Sequence, residues 1–180
     1  MKRIVLVGMK HCGKSTQGAM LAAALEVPFT DVDELIEDMF FKRTGRKLGC
    51  RGIYKEYGQE YFRRLEAEAT ADLLENPAPG VVAFGGGAVE NPFMPKNWRE
   101  LGTIVYLEAE HIALYRRIEE KGLPPYLAGA EDPFAEFCRV ADSRAEGFRA
   151  AADITFTLDM TCRAADNHKK LVEMLREKII

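Results

Sequence analysis

Eight residues near the amino terminus, Gly8-Met9-Lys10-His11-Cys12-Gly13-Lys14-Ser15, constrain this chain more than any others. They satisfy GxxxxGK[ST], directly after the strand-like run Ile4–Val7 and directly before the helical stretch Lys14–Leu25. That context gives the pattern its meaning, because the glycines let backbone N–H groups curl around phosphate oxygens while the helix N-terminus adds the positive end of its dipole. Lys14 is expected to reach the β and γ oxygens as an exposed, ligand-facing charge, and Ser15 to ligate Mg²⁺. A nucleoside triphosphate site is therefore assigned to Gly8, Gly13, Lys14, Ser15 and Thr16. His11 and Cys12 hold variable positions of the loop, where a lone histidine is more often a surface residue than a catalyst.

Strand-like runs recur at Arg3–Val7, Val27–Thr30, Val81–Phe84, Thr103–Leu107 and Asp153–Thr157. Between them lie segments of helical period. Phe62, Leu65, Ala69 and Leu73 make one apolar stripe, and Phe134, Phe137, Ala141, Ala145 and Phe148 make another. Strand alternating with helix means βαβ units, so the expected fold is α/β: a three-layer α/β/α sandwich around a five-stranded parallel sheet, with ligands at the carboxyl ends of the strands. The whole of 1–180 is expected to be one domain. Two stretches break the pattern, Lys42–Tyr57, rich in Gly and Arg, and Lys121–Pro133, rich in Gly and Pro; both read as mobile flaps.

Composition excludes several classes of function. A net charge of -3 lacks the basic footprint of a nucleic-acid binder. No apolar stretch approaches the roughly 20 residues that span a bilayer, and Met1-Lys2-Arg3 leads into a strand rather than a signal-peptide core, so no membrane partner is expected. Cys12, Cys50, Cys138 and Cys162 lack paired spacing and read as reduced thiols in a cytoplasmic protein. With no NKxD-like base-reading motif, a compact kinase fits better than a GTPase or motor.

Two further segments carry chemistry. In Phe29-Thr30-Asp31-Val32-Asp33, strand alternation puts both carboxylates on one side. One can hold Mg²⁺-bound water while the other accepts a hydrogen bond from the hydroxyl to be phosphorylated. The alternative is an N-cap and acidic first turn for a helix beginning near Glu34. In Phe84-Gly85-Gly86-Gly87-Ala88-Val89, three successive glycines let the main chain approach a ligand without interference from Cβ atoms.

Five segments in order, over nearly the whole chain, resemble the shikimate kinase family of P-loop kinases: the phosphate-binding loop, the Asp31/Asp33 segment, Gly58-Gln59-Glu60-Tyr61-Phe62-Arg63-Arg64-Leu65-Glu66, the triple-glycine loop, and Arg144 to Asp153. The resemblance implies phosphorylation of the shikimate 3-hydroxyl by ATP with Mg²⁺, in aromatic amino-acid biosynthesis, by a monomer whose partners are ATP and shikimate. It implies Asp31 on the metal side and Asp33 on the acceptor side. Arg63, supported by Glu66, and Arg144 would hold the acceptor carboxylate, Gly86 and Gly87 would touch the acceptor, and Arg117, next to Arg116, would stack on adenine. The acceptor-binding region would span about 31–63 and the lid about 121–133. The chain departs from the pattern at Gln59 for Glu, Phe148 for Tyr and Pro124 for a lid arginine, whose charge Lys10, Lys121 or Arg139 would have to supply. Competing readings are a kinase for another hydroxy acid such as gluconate, and a nucleotide-binding regulatory protein that lost turnover.

Overall fold

A computed structural model describes residues 2–124, 127 and 129–179. Strands β1 (Arg3–Val7), β2 (Phe29–Asp31), β3 (Val81–Ala83), β4 (Gly102–Glu108) and β5 (Ile154–Thr157) form one sheet in the order β2-β3-β1-β4-β5. Every pairing is parallel. The central strand explains the order: all five residues of β1 are buried, so it needs neighbours on both edges and cover on both faces.

Among the described residues six helices provide the cover: α1 (Lys14–Leu25), α2 (Val32–Thr44), α3 (Cys50–Glu75), α4 (His111–Lys121), α5 (Pro133–Ala151) and α6 (Ala164–Lys178). Helix α1 packs against β3 and α6, and α4 packs against α5. Right-handed crossovers in this strand order set α1 on one face and α3, α4 and α5 on the other, and α6, which follows the last strand, joins α1 by packing against it. The expected apolar stripes supply the contacts: Phe62, Leu65, Ala69, Phe137, Ala141, Ala145 and Phe148 are buried, while Phe134 stays exposed.

Lys42–Tyr57 differs from the irregular flap expected. Helix α2 continues through Thr44, Gly45 closes it in the left-handed region (φ 69°), and α3 starts at Cys50. The charges that suggested a loop are paired with acids on α3: Arg43, on α2, bonds to Glu68, and Arg46, in the short connection, bonds to Glu56 and the Tyr57 hydroxyl. The break falls later, at Gly58 (φ 87°, ψ 169°), which turns the Cys50–Tyr57 arm away from the remainder of α3. Of the expected lid, Pro125, Tyr126 and Ala128 lie outside the described residues; Leu127 is fully buried and its N–H bonds to Pro124 O at 2.9 Å.

The carboxyl end of α3 is tied to the sheet by a buried cation. The Arg3 guanidinium donates to Leu73 O and Asn76 O, carbonyls that the helix leaves unpaired, and burial draws its pKa below the ordinary arginine value. Arg3→Met keeps the length but orphans both carbonyls. It is expected to cost about 1–3 kcal/mol, read as a lower urea midpoint at unchanged slope.

Candidate active site

The phosphate-binding loop leaves β1 at Gly8, whose φ of 149° and position against β4 exclude a side chain; a Cβ there would stand 2.6 Å from Leu107 O. The loop ends at Gly13 (φ 104°), which caps α1 with no side-chain hydrogen bond. The first N–H groups of α1 are thus left for an anion, as the GxxxxGK[ST] pattern requires. Lys14 is not the exposed charge expected. It is 8% exposed, and its Nζ donates to Met9 O at 2.9 Å, because an ammonium lodged under its own loop must find an acceptor there. Thr16 follows on the exposed side of α1. Arg117 on α4 donates from Nη1 to His11 O at 3.1 Å, whereas Arg116 faces solvent.

Asp31 and Asp33 come together by a route other than strand alternation. Strand β2 ends at Asp31, and Asp33 already belongs to the first turn of α2, which starts at Val32 rather than near Glu34. Asp31 caps that helix, its Oδ1 accepting from Asp33 N at 3.0 Å, while its Oδ2 accepts from Ser15 Oγ at 2.6 Å. The capping and functional readings therefore hold at once. Burial first, then the charges of Asp31 and Glu66, raise the pKa of Asp33 above the ordinary aspartate value, with Lys14 and Lys10 opposing. The Ser15 hydroxyl and Asp31 carboxylate are hard oxygen donors at the mouth of the cradle, the chemistry Mg²⁺ needs when phosphates and water complete its shell.

The three glycines after β3 each make room for a different group. A Cβ at Gly85 would stand 3.1 Å from both Asp33 Oδ1 and Glu66 Oε1; at Gly86, 2.7 Å from Lys10 N; at Gly87, 2.2 Å from Arg63 Nη2. The loop is thus packed between the phosphate-binding loop and the acidic and basic side chains of α2 and α3. Arg63 pairs with Glu66 at 2.6 Å. Glu66 is fully buried and takes a second hydrogen bond from Asn91 Nδ2 at 2.9 Å, and the same Asn91 amide holds Arg63 O at 2.8 Å.

From the opposite side, Arg144 on α5 donates from Nε to Glu90 Oε2 at 2.8 Å, just beyond the glycine loop. Both expected acceptor arginines therefore border one loop. Gln59 is exposed beside the kink, so the support of Arg63 comes from Glu66 and Asn91. Phe148 is fully buried and stacks on Tyr106, ring centroids 5.2 Å apart. Asn91 and Glu90 belong to no motif, and their pairing with residues far along the chain left no local signal. Cys50 also borders Asp33, its Sγ bonding to Asp33 O at 3.3 Å, and burial pushes its thiol pKa upward.

The sequence profile of the shikimate kinase family matches residues 10–176. A shikimate kinase of Caldanaerobacter subterraneus subsp. tengcongensis is 34% identical over 182 residues, covering 100% of this chain and 95% of its own. The structure of Acinetobacter baumannii shikimate kinase in complex with shikimate superposes with a TM-score of 0.78 at 28% identity, covering 100% of this chain and 96% of that one. A Sinorhizobium meliloti gluconokinase, at 18% identity and a TM-score of 0.51 over 99% and 98% of the two chains, shares the fold alone. An α/β sheet carrying a phosphate cradle, a carboxylate pair and two arginines around a triple-glycine loop thus meets a family match over nearly its full length: the chain belongs to the shikimate kinase family.

Proposed function

We propose that the chain transfers the γ-phosphoryl group of ATP to the 3-hydroxyl of shikimate, giving ADP and shikimate 3-phosphate. The observation that carries this reading is the crowding of Asp33, Glu66, Arg63 and the phosphate-binding loop onto Gly85–Gly87, with Arg144 at its far end. Two arginines and a carboxylate beside a nucleotide cradle suit a small polyhydroxy acid. The arrangement belongs to one P-loop kinase domain, with the acceptor region about 31–63 and the lid about 121–133.

Gly8, Gly13 and Thr16 line the phosphate cradle, and Arg117 packs on adenine. Lys14 exchanges Met9 O for the β- and γ-phosphate oxygens. Ser15 and Asp31 are the residues that would hold Mg²⁺, which neutralises phosphate charge when bound with ATP. Asp33 orients the acceptor hydroxyl and takes its proton; a raised pKa makes it a stronger base than an exposed aspartate. Arg63 and Arg144 fork onto the acceptor carboxylate, while Gly86 and Gly87 admit the ring. Among the described residues no helix is long and apolar enough to cross a membrane. We read the chain as cytoplasmic and monomeric, and its four free thiols suit a reducing compartment.

Coupled ADP release with shikimate, with gluconate and with neither tests the reading: shikimate alone is expected to drive turnover, and equal rates in all three would contradict it. Lys14→Ala is expected to lower kcat at least about 100-fold with an unchanged circular dichroism spectrum. Arg63→Lys and Arg144→Lys are expected to raise the KM for shikimate about tenfold or more, because Lys cannot form the planar fork, while the KM for ATP stays within about threefold.

The pH profile follows from Asp33. Its charged form is disfavoured by burial, so as pH falls the residue is protonated sooner than an ordinary aspartate, and the base is lost. The acid limb of kcat/KM for shikimate should therefore lie above the ordinary aspartate value of 3.8. In Asp33→Asn that limb should vanish, along with about 100-fold or more of kcat.

A further inference from the structure

Phosphoryl transfer moves negative charge through the gap between nucleotide and acceptor, and a cation placed there acts mainly on the transition state. The cations around this site are mostly committed. Lys14 is held by Met9 O, Arg117 by His11 O, Arg63 by Glu66 and Arg144 by Glu90. Arg139, considered above as a source of charge, is 70% exposed and paired with Glu136. Pro124 in the lid brings no charge. His11 adds none at neutral pH, since burial and then the charges of Lys121, Lys10, Lys14 and Arg117 push its pKa down to about 4.

Lys10 is different. It is exposed, and among the described residues no carboxylate pairs with it. Its backbone is pressed onto the glycine loop: a Cβ at Gly86 would stand 2.7 Å from Lys10 N and 3.3 Å from Lys10 Cβ. A Cβ on the preceding Gly85 would likewise stand 3.1 Å from Asp33 Oδ1 and from Glu66 Oε1. Adjacent Cα atoms are only about 3.8 Å apart, so the root of the Lys10 side chain and the Asp33 carboxylate flank neighbouring residues of one loop. Lys121, by contrast, ends α4 at the start of the lid.

We propose that Lys10 is a catalytic residue whose ammonium neutralises the phosphoryl group in transit between ATP and the acceptor. The proposal rests on the shikimate kinase reading above. As the acceptor oxygen bonds to the γ-phosphorus, the bond from phosphorus to the β,γ-bridging oxygen breaks. The hydroxyl proton goes to Asp33, and ADP leaves with the electron pair of the broken bond. Lys10 stays protonated throughout and contributes charge alone. The lysine thereby makes a lid arginine unnecessary in this chain.

Single-turnover rates of the wild type, Lys10→Met, Lys10→Arg and Lys121→Met, with Kd values for ATP and shikimate by calorimetry, test this. Lys10→Met should slow transfer at least about 30-fold while both Kd values stay within about threefold; Lys10→Arg should recover most of the rate, and Lys121→Met should match the wild type. Transfer at wild-type speed in Lys10→Met, or a loss confined to Lys121→Met, would overturn the proposal. So would an equal weakening of Kd and rate, which marks a ground-state contact. A second readout does not depend on turnover: aluminium fluoride, a mimic of the phosphoryl group in transit, should tighten ADP binding in the wild type and at least about tenfold less in Lys10→Met, and equal tightening would overturn the proposal. A wild type inert toward shikimate would count against the acceptor assignment, and the fluoride comparison would still decide the role of Lys10.

Discussion

Parallel pairing of three strands at one level is the constraint on which the rest of the structure depends. Asp31 at the end of β2 pairs with Ala83 at the end of β3, and Ala83 pairs with Leu6 near the end of β1. The segments that leave these strands, helix α2 at Val32 and the loops at Phe84 and Gly8, therefore emerge side by side. A carboxylate pair, a glycine loop and a phosphate cradle separated by dozens of residues become neighbours. Because β1 is buried on every residue, a one-residue slip would not expose a polar face but would misplace these three segments relative to one another. The apolar core and the site thus share one determinant.

Preorganised charge is the second theme. Glu66 is fully buried, and removing Arg63 or Asn91 would leave a carboxylate short of partners in a low-dielectric interior. Its Oε1 has no hydrogen-bond partner among the described residues and lies beside Gly85 next to Asp33, where the Glu66 charge helps to raise the Asp33 pKa. Arg63 and Arg144 are both held by acids before any ligand arrives, so little side-chain entropy remains to be lost on binding. Electrostatic catalysis needs such fixed groups, since charges that must reorganise during the reaction contribute less.

Much of this was legible in the sequence because its signals are local. The phosphate-binding loop declares itself in eight residues, and α1 runs over Lys14–Leu25 as the pattern indicates. The sheet was legible from β-branched runs, with edges displaced by a residue or two. What was hidden depends on pairs far apart in sequence. Asn91 has no motif, yet it ties Glu66 to the backbone of Arg63. The burial of Lys14 depends on the fold of its own loop around Met9 O, which no residue pattern encodes. Lys42–Tyr57 misled because Gly and Arg are usual in loops; here Gly45 ends one helix, Gly58 bends the next, and Arg43 and Arg46 pair with acids of α3.

The central claim is that this site joins ATP to one particular hydroxyl of shikimate. Phosphorus-31 NMR of a reaction containing the protein, Mg-ATP and shikimate tests it most directly, because it identifies the bond formed rather than the nucleotide released. The account predicts a single new phosphate monoester, coupled to the proton on carbon 3 of shikimate and equimolar with ADP. Inorganic phosphate as the sole product, or a monoester at another carbon, would contradict it.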